Sequence, residues 1–212
     1  MAYITGYCKI RNRQLAYQDD VIFQDQHADL DTFLDKALTS LSISYPKFYK
    51  MDRLSKLGFL AAEILLKNAK LQEVYKPSEI ALVLANAHAS LDTDFRYFDS
   101  MKTMASPALF VYTLTNIVAG EICIRHGIKG ENALFVTPEF DAVQLHSYVE
   151  SVLIRQKTNA CIAGWIDVLG EQHDVFLYLV EKTKNNTNAL DHSAEQLQTL
   201  YQGKYGTVDG RS

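Results

Sequence analysis

A chain of 212 residues, 48% hydrophobic and 22% charged, is long enough to bury one sizeable core and has the composition of a water-soluble globular protein. A formal net charge of -4, with no cluster of Lys and Arg, argues against a nucleic-acid partner, because phosphate binding needs clustered cations. Cys8, Cys123 and Cys161 lie too far apart for a disulfide framework or a C-x-x-C metal spacing, and the N-terminus lacks an apolar signal core, so the expected home is a reducing cytoplasm with no membrane span.

In chain order, "AYITGYCKI" (Ala2 to Ile10) is β-branched and aromatic, and reads as a first strand. Gln18 to Asp31 is polar and acidic and reads as a surface loop, followed by a short helix in "DLDTFLDKAL". "YPKFYKMD" is expected to be extended, since Pro46 disfavours a helical residue before it. From Asp52 to Leu71 apolar residues recur at helical spacing, with Asp52 as the cap. "EIALVLANA" is an unbroken apolar run, the mark of a strand covered on both faces. "LDTDFRYFDSM" is polar and aromatic and reads either as an ordinary loop or as the lining of a cavity or interface; Phe110 to His126 is helical and stops at Gly127. "NALFVT" is a short strand, and a helix follows with Asp141 in its first turn. "NACIAGWIDVL" and "HDVFLYLVEKT" are antiparallel strands joined by "GEQ". After the polar break "KNNTN", a terminal helix ends at Gly203 and the last residues are loose. The alternation predicts α/β layers around a mostly parallel sheet with an antiparallel edge.

Within this order lie Arg53 at the head of an Ala-rich helix, Thr113-Leu114-Thr115-Asn116, and Ala119-Gly120 leading to Gly127 and Gly130. Thr137-Pro138-Glu139 and Ala163-Gly164-Trp165-Ile166-Asp167 follow. In order and spacing these resemble the β-ketoacyl synthases, the condensing enzymes of fatty-acid and polyketide synthesis. The resemblance implies a thiolase-like fold, N-terminal half only: a mixed, mostly parallel five-stranded sheet with helices on both faces. It implies a domain over residues 1–183, followed over 184–212 by the polar break, a helix and a loose tail.

Two departures qualify it. Glu139 stands where the family's nucleophilic cysteine belongs, and a carboxylate there is a poor equivalent because an acyl-anhydride hydrolyses readily. The family's C-terminal half, with its two catalytic histidines in "HGTGT" and "GGHN" settings, has no counterpart among His27, His88, His126, His146, His173 and His192. No residue is therefore expected to be catalytic, and no metal or cofactor is expected. Thr115 replaces the Pro of the family's turn and Trp165 replaces a Gly, so the Trp must fill space or be covered by a partner.

Pocket candidates are Asn116, Thr137, Glu139, Phe140 and Trp165. Glu139 is either a filled-in nucleophile position or a solvated Glu favoured by a helix dipole. Cys161 reads as a buried small hydrophobe, His146 as a helix-surface residue, and Glu121 as a structural ion pair with Arg125 at i+4. The resemblance also implies pairing along the strand Ala133, Leu134, Phe135, Val136 and Thr137, which has no charged residue to blunt an edge. A solitary half would expose the apolar stretch Pro107 to Ile124, and the terminal helix from Asp191 could cover part of the missing half's footprint.

The resulting expectation is a non-catalytic ketosynthase-like subunit, similar to a chain-length factor. Its partner would be a full-length ketosynthase or a second copy of itself, with acyl carrier protein as a further partner, in a fatty-acid, polyketide or aryl-polyene-type pathway. The alternatives are altered chemistry on acyl thioesters with Glu139 as general base, or a free-standing acyl or lipid binder using space near Trp165.

Overall fold

The computed structural model describes residues 2–67, 69–155, 157–184 and 188–203, so the loose tail expected over 204–212 and most of the polar break lie outside the described residues. Eight strands join into one sheet: β1 (Tyr3–Arg11), β2 (Gln14–Tyr17), β3 (Asp20–Gln24), β4 (Ile80–Asn86), β5 (Asn132–Val136), β6 (Ala160–Leu169), β7 (Gln172–Glu181) and β8 (Leu190–Asp191). Their order is β3-β2-β1-β7-β6-β4-β5, with β8 beside the start of β1. Only β5, β4 and β6 run parallel, and every other pairing is antiparallel. The expected mostly parallel, five-stranded sheet is corrected accordingly. The difference arises at the N-terminus, where β2 and β3 form a hairpin in place of a surface loop, its turn carried by Gln18 at φ 55°. β3 alternates exposed and half-buried residues, but its apolar run Val21-Ile22-Phe23 is only three residues long and set among acidic and amide residues, too short to stand out as a strand.

Helices cover both faces. α1 (Leu30–Ser40), α2 (Arg53–Lys67), the short α3 (Leu71–Val74) and α6 (Ile117–His126) pack on one, and α7 (Ala142–Ile154) and α8 (Ala194–Gln202) on the other. The strand period of two sends Ile80, Leu82 and Leu84 of β4 into the first core, and Ala81, Val83 and Ala85 into the second. Every residue of β4 is buried, as its unbroken apolar run predicts. β6 divides likewise, with Ile162 and Ile166 on one side and Cys161, Ala163 and Trp165 on the other.

Side-chain chemistry sets the helix starts. Asp52, buried ahead of α2, accepts hydrogen bonds from the Ser55 amide (2.9 Å) and from the Thr93 hydroxyl (2.8 Å), and its burial raises its pKa. Asp141 caps α7 through the Gln144 amide, and Ser193 caps α8 through the Gln196 amide. α6 ends at Gly127 in the left-handed conformation (φ 62°), as expected.

Three local expectations fail for physical reasons. Residues Pro46–Lys50 form a 3-10 turn: Tyr45 is extended, as a residue before proline should be, but Pro46 itself starts the turn. "LDTDFRYFDS" is a helix, α4 (Leu91–Ser100), tied down where the Asp92 carboxylate accepts the Gly170 amide (2.8 Å). The helix expected from Phe110 is broken into α5 (Pro107–Val111) and α6 by a turn at Tyr112, whose hydroxyl donates to Glu121 (3.1 Å). Glu121 also pairs with Lys47 (2.7 Å), while Arg125 turns to Glu63 instead, so the expected i+4 pair does not form.

In β6, Gly164 sits at φ 149° beside β7, and a Cβ there would lie 2.0 Å from the Phe176 carbonyl oxygen. Gly164→Ala is expected to cost more than about 3 kcal/mol, read as a lower urea midpoint or as loss of soluble protein. An unchanged midpoint would refute this packing.

Candidate functional site

Parallel strands tend to gather ligands at their carboxyl ends, and here the ends of β4 and β5 bring residues 86–88 and 137–140 together beside residues 165–167 of β6, which continues past them to Leu169. The Thr137 amide donates to the Asn86 carbonyl (2.9 Å), joining two of these ends, and the Thr137 hydroxyl donates to the Glu139 carbonyl (2.9 Å). This short turn sends neighbouring side chains opposite ways. Glu139 is exposed, with no hydrogen-bond or ion-pair partner for its carboxylate among the described residues. Phe140 is buried.

Phe140 enters an aromatic cluster. Its ring stacks on Tyr201 (centroids 4.0 Å, 13° between planes) and meets Phe176 (5.7 Å) and Trp165 (6.5 Å) edge-on. Trp165, 4% exposed, is thus covered within the chain, and the space beside it is filled by aromatic rings. α8 supplies Tyr201, and cations hold its end: Arg11 donates to the Tyr201 carbonyl (2.6 Å) with its guanidinium over the ring, and the Lys9 ammonium donates to the Gly203 carbonyl (2.9 Å). The Tyr201 hydroxyl donates to Asp174, which also pairs with Arg11. Outside this cluster, Thr137–Gln144 and residues Ala194, Glu195 and Gln198 border a shallow cleft of about 600 Å³.

Asn116, the remaining pocket candidate, is exposed at the head of α6 and is not brought to this cluster. Ala133, Leu134, Phe135 and Val136 lie on the edge strand β5, with Thr137 just past its end; the strand is half-buried to exposed, and Val136 is 57% exposed. The thiols carry no reactive character. Cys8 and Cys161 are fully buried and burial pushes both well up, while Cys123 is raised for the same reason.

The histidine-acid pairs escaped sequence reasoning because their members are distant in the chain. His88 Nδ1 lies 2.8 Å from Asp167, whose other oxygen accepts the amides of Ala87 (3.1 Å) and His88 (3.0 Å). Asp167 thus fixes the turn leaving β4, in which Ala89 sits at φ 51°. His192 and Glu150 make a second pair at 2.8 Å, against His146. The one available signal was the i, i+4 spacing of His146 and Glu150. No nucleophile is hydrogen-bonded to any of these histidines among the described residues, so the arrangement lacks the nucleophile–base contact of covalent acyl transfer.

No protein-family model matches the chain, and no curated protein matches it. Solved structures do. The ishigamide ketosynthase/chain length factor superposes with a TM-score of 0.61 at 14% identity, over 88% of this chain and 63% of that one. A ketosynthase (ApeO) in complex with its chain length factor (ApeC) from Xenorhabdus doucetiae gives 0.58 at 12% identity, over 95% and 90%. A type II PKS acyl-carrier protein in complex with its ketosynthase (AntDE:AntF) gives 0.57 at 14%, over 85% and 62%. The chain has the thiolase-like fold of these proteins. It spans under two thirds of the first and third, but nearly all of the matched chain in the second. No helix among the described residues is long and apolar enough to cross a membrane.

Two outcomes are expected. Tyr201→Ala should cost about 2–3 kcal/mol and open residues 190–203 to protease; unchanged stability and cleavage would show that α8 does not rest on Phe140. Burial pushes His126 and His173 below their ordinary value, so both are neutral when folded. Stability should be level above about pH 6.5 and should fall as the pH drops from there through their lowered folded values, because the unfolded chain takes up the protons. Melting curves from pH 8 to pH 5 measure this, and His126→Gln should flatten the slope.

Proposed function

We propose that this chain is a non-catalytic subunit of a ketosynthase-type assembly, similar in role to a chain-length factor, that pairs with a full-length ketosynthase. The observation that carries this reading is the exposed Glu139, at the place where the family resemblance expects the nucleophile, with the adjoining space filled by Phe140, Trp165, Phe176 and Tyr201. A thioester has no attacking thiolate there, and the aromatic rings leave only the shallow outer cleft beside Glu139.

Two surfaces favour a partner. α4, α5 and the turn after them expose Phe95, Phe98, Met101, Met104, Phe110 and Leu114, all at least 48% accessible. Of these, Phe95, Phe98 and Met101 line one shallow cleft together, and an exposed apolar surface of this kind marks an interaction site. The free edge of β5 offers unpaired backbone groups to an antiparallel strand. The likeness to a chain of similar length in a ketosynthase–chain length factor complex supports a short chain in such a role. In this reading the protein works in the cytoplasm on a fatty-acid, polyketide or aryl-polyene-type pathway, and the acyl carrier protein docks on the assembled pair.

Co-expression with the ketosynthase encoded nearest to it should yield a 1:1 complex by size exclusion with light scattering. Val136→Lys and Phe98→Asp should each weaken that complex at least about tenfold, while both variants melt within a few degrees of the parent. A chain that stays monomeric beside the ketosynthase, or a complex indifferent to both changes, would overturn the proposal.

A further inference from the structure

His146 and Glu150 stand one turn apart on the same face of α7, and His192 joins them from the link between β8 and α8. One donor atom from each lies within 4.8 Å of the other two. His192 Nδ1 and Glu150 Oε1 are 2.8 Å apart, and the two imidazole rings are 4.7 Å apart between centroids. The His192 side chain is fully buried, its amide is anchored to the Ala2 carbonyl (3.0 Å), and its Nε2 has no hydrogen-bond partner. His146 and Glu150 are half-buried, so the cluster has a mouth to solvent.

We propose that His146, Glu150 and His192 form a binding site for one divalent transition-metal ion of the Zn²⁺ class. Two imidazoles and a carboxylate are the donors of three-ligand zinc sites that leave a fourth position to water. The mixed nitrogen and oxygen set disfavours Ca²⁺ and Mg²⁺, which take oxygen ligands. Donors bound at about 2.1 Å stand roughly 3.0–3.4 Å apart, so the His192–Glu150 separation is already close to the required edge. His146, half-exposed on a helix, is the arm that must swing inward, by about 1.8 Å at most.

The position of the site gives it a consequence. His192 immediately precedes Ser193, the cap of α8, and α8 carries the Tyr201 ring that covers Phe140. A metal here would clamp α8 to α7 and hold the aromatic plug in place. The inference rests on the His–Glu–His cluster alone and stands or falls independently of any ketosynthase partner.

The test uses the untagged full chain, stripped with a chelator and titrated with Zn²⁺ against a chromophoric competitor. A parallel Co²⁺ titration is read by visible absorption. One equivalent of Zn²⁺ should bind, raise the melting temperature and slow proteolysis within residues 190–203, and Mg²⁺ should do none of these. His146→Gln and Glu150→Gln should each weaken Zn²⁺ binding at least about tenfold, the lower end of what even outer partners of a metal site contribute. His27→Gln, at an exposed histidine far along the chain, should leave it unchanged. Circular dichroism on each variant separates a lost ligand from a lost fold. Failure to bind one equivalent at micromolar concentration, or binding that survives both folded variants, would overturn the proposal.

Discussion

The structure depends on the double burial of β4 and β6. All seven residues of β4 are buried, and alternate residues of both strands enter opposite cores. A sheet apolar on both faces needs a helix layer on each side, because every uncovered apolar side chain forfeits about 1.5–3 kcal/mol. α1, α2 and α6 supply one layer. The other rests on α7 and α8, so the last helix of the chain is part of the sheet's cover and its ring fills the space under Phe140. The aromatic plug and the close β6–β7 approach at Gly164 follow from the same need to seal the sheet's middle strands.

This explains the character of the site. The turn after β5 has the architecture of an approach to a reactive group: a strand end, a tight turn held by Thr137, and a capped helix beyond. Within it Phe140 points to the core and Glu139 to water, which is the disposition of a packing anchor beside a solvated residue. Burial leaves the thiols protonated and inert, while the polar pairs near the strand ends hold turns together.

Much of this was legible in local pattern. The continuous apolar run of β4, the capped helix after Asp52, the β6–β7 hairpin about Gly170 and the stop at Gly127 each have a short-range cause in propensity, capping or turn chemistry. The β2–β3 hairpin was not legible, since its alternation is weak and its turn uses Gln18 rather than glycine. Nor was the break before α6, which is fixed by the contact of Tyr112 with Glu121, or the choice of Glu63 over Glu121 by Arg125. Those are decisions between partners that a linear pattern leaves equivalent.

Sequence order alone was sufficient to establish that the chain alternates strands and helices and that its middle strands are buried. Folding in three dimensions settled which strands pair, that Trp165 is covered by Phe140 and Phe176, and that α8 closes the second face. It also gathered His146, Glu150 and His192 into one cluster. The physical reason for the division is range: capping, turn and periodicity energies act over a few residues, whereas pairing order and side-chain clusters depend on contacts between residues tens to well over a hundred positions apart, such as Lys9 with Gly203 and Arg11 with Asp174.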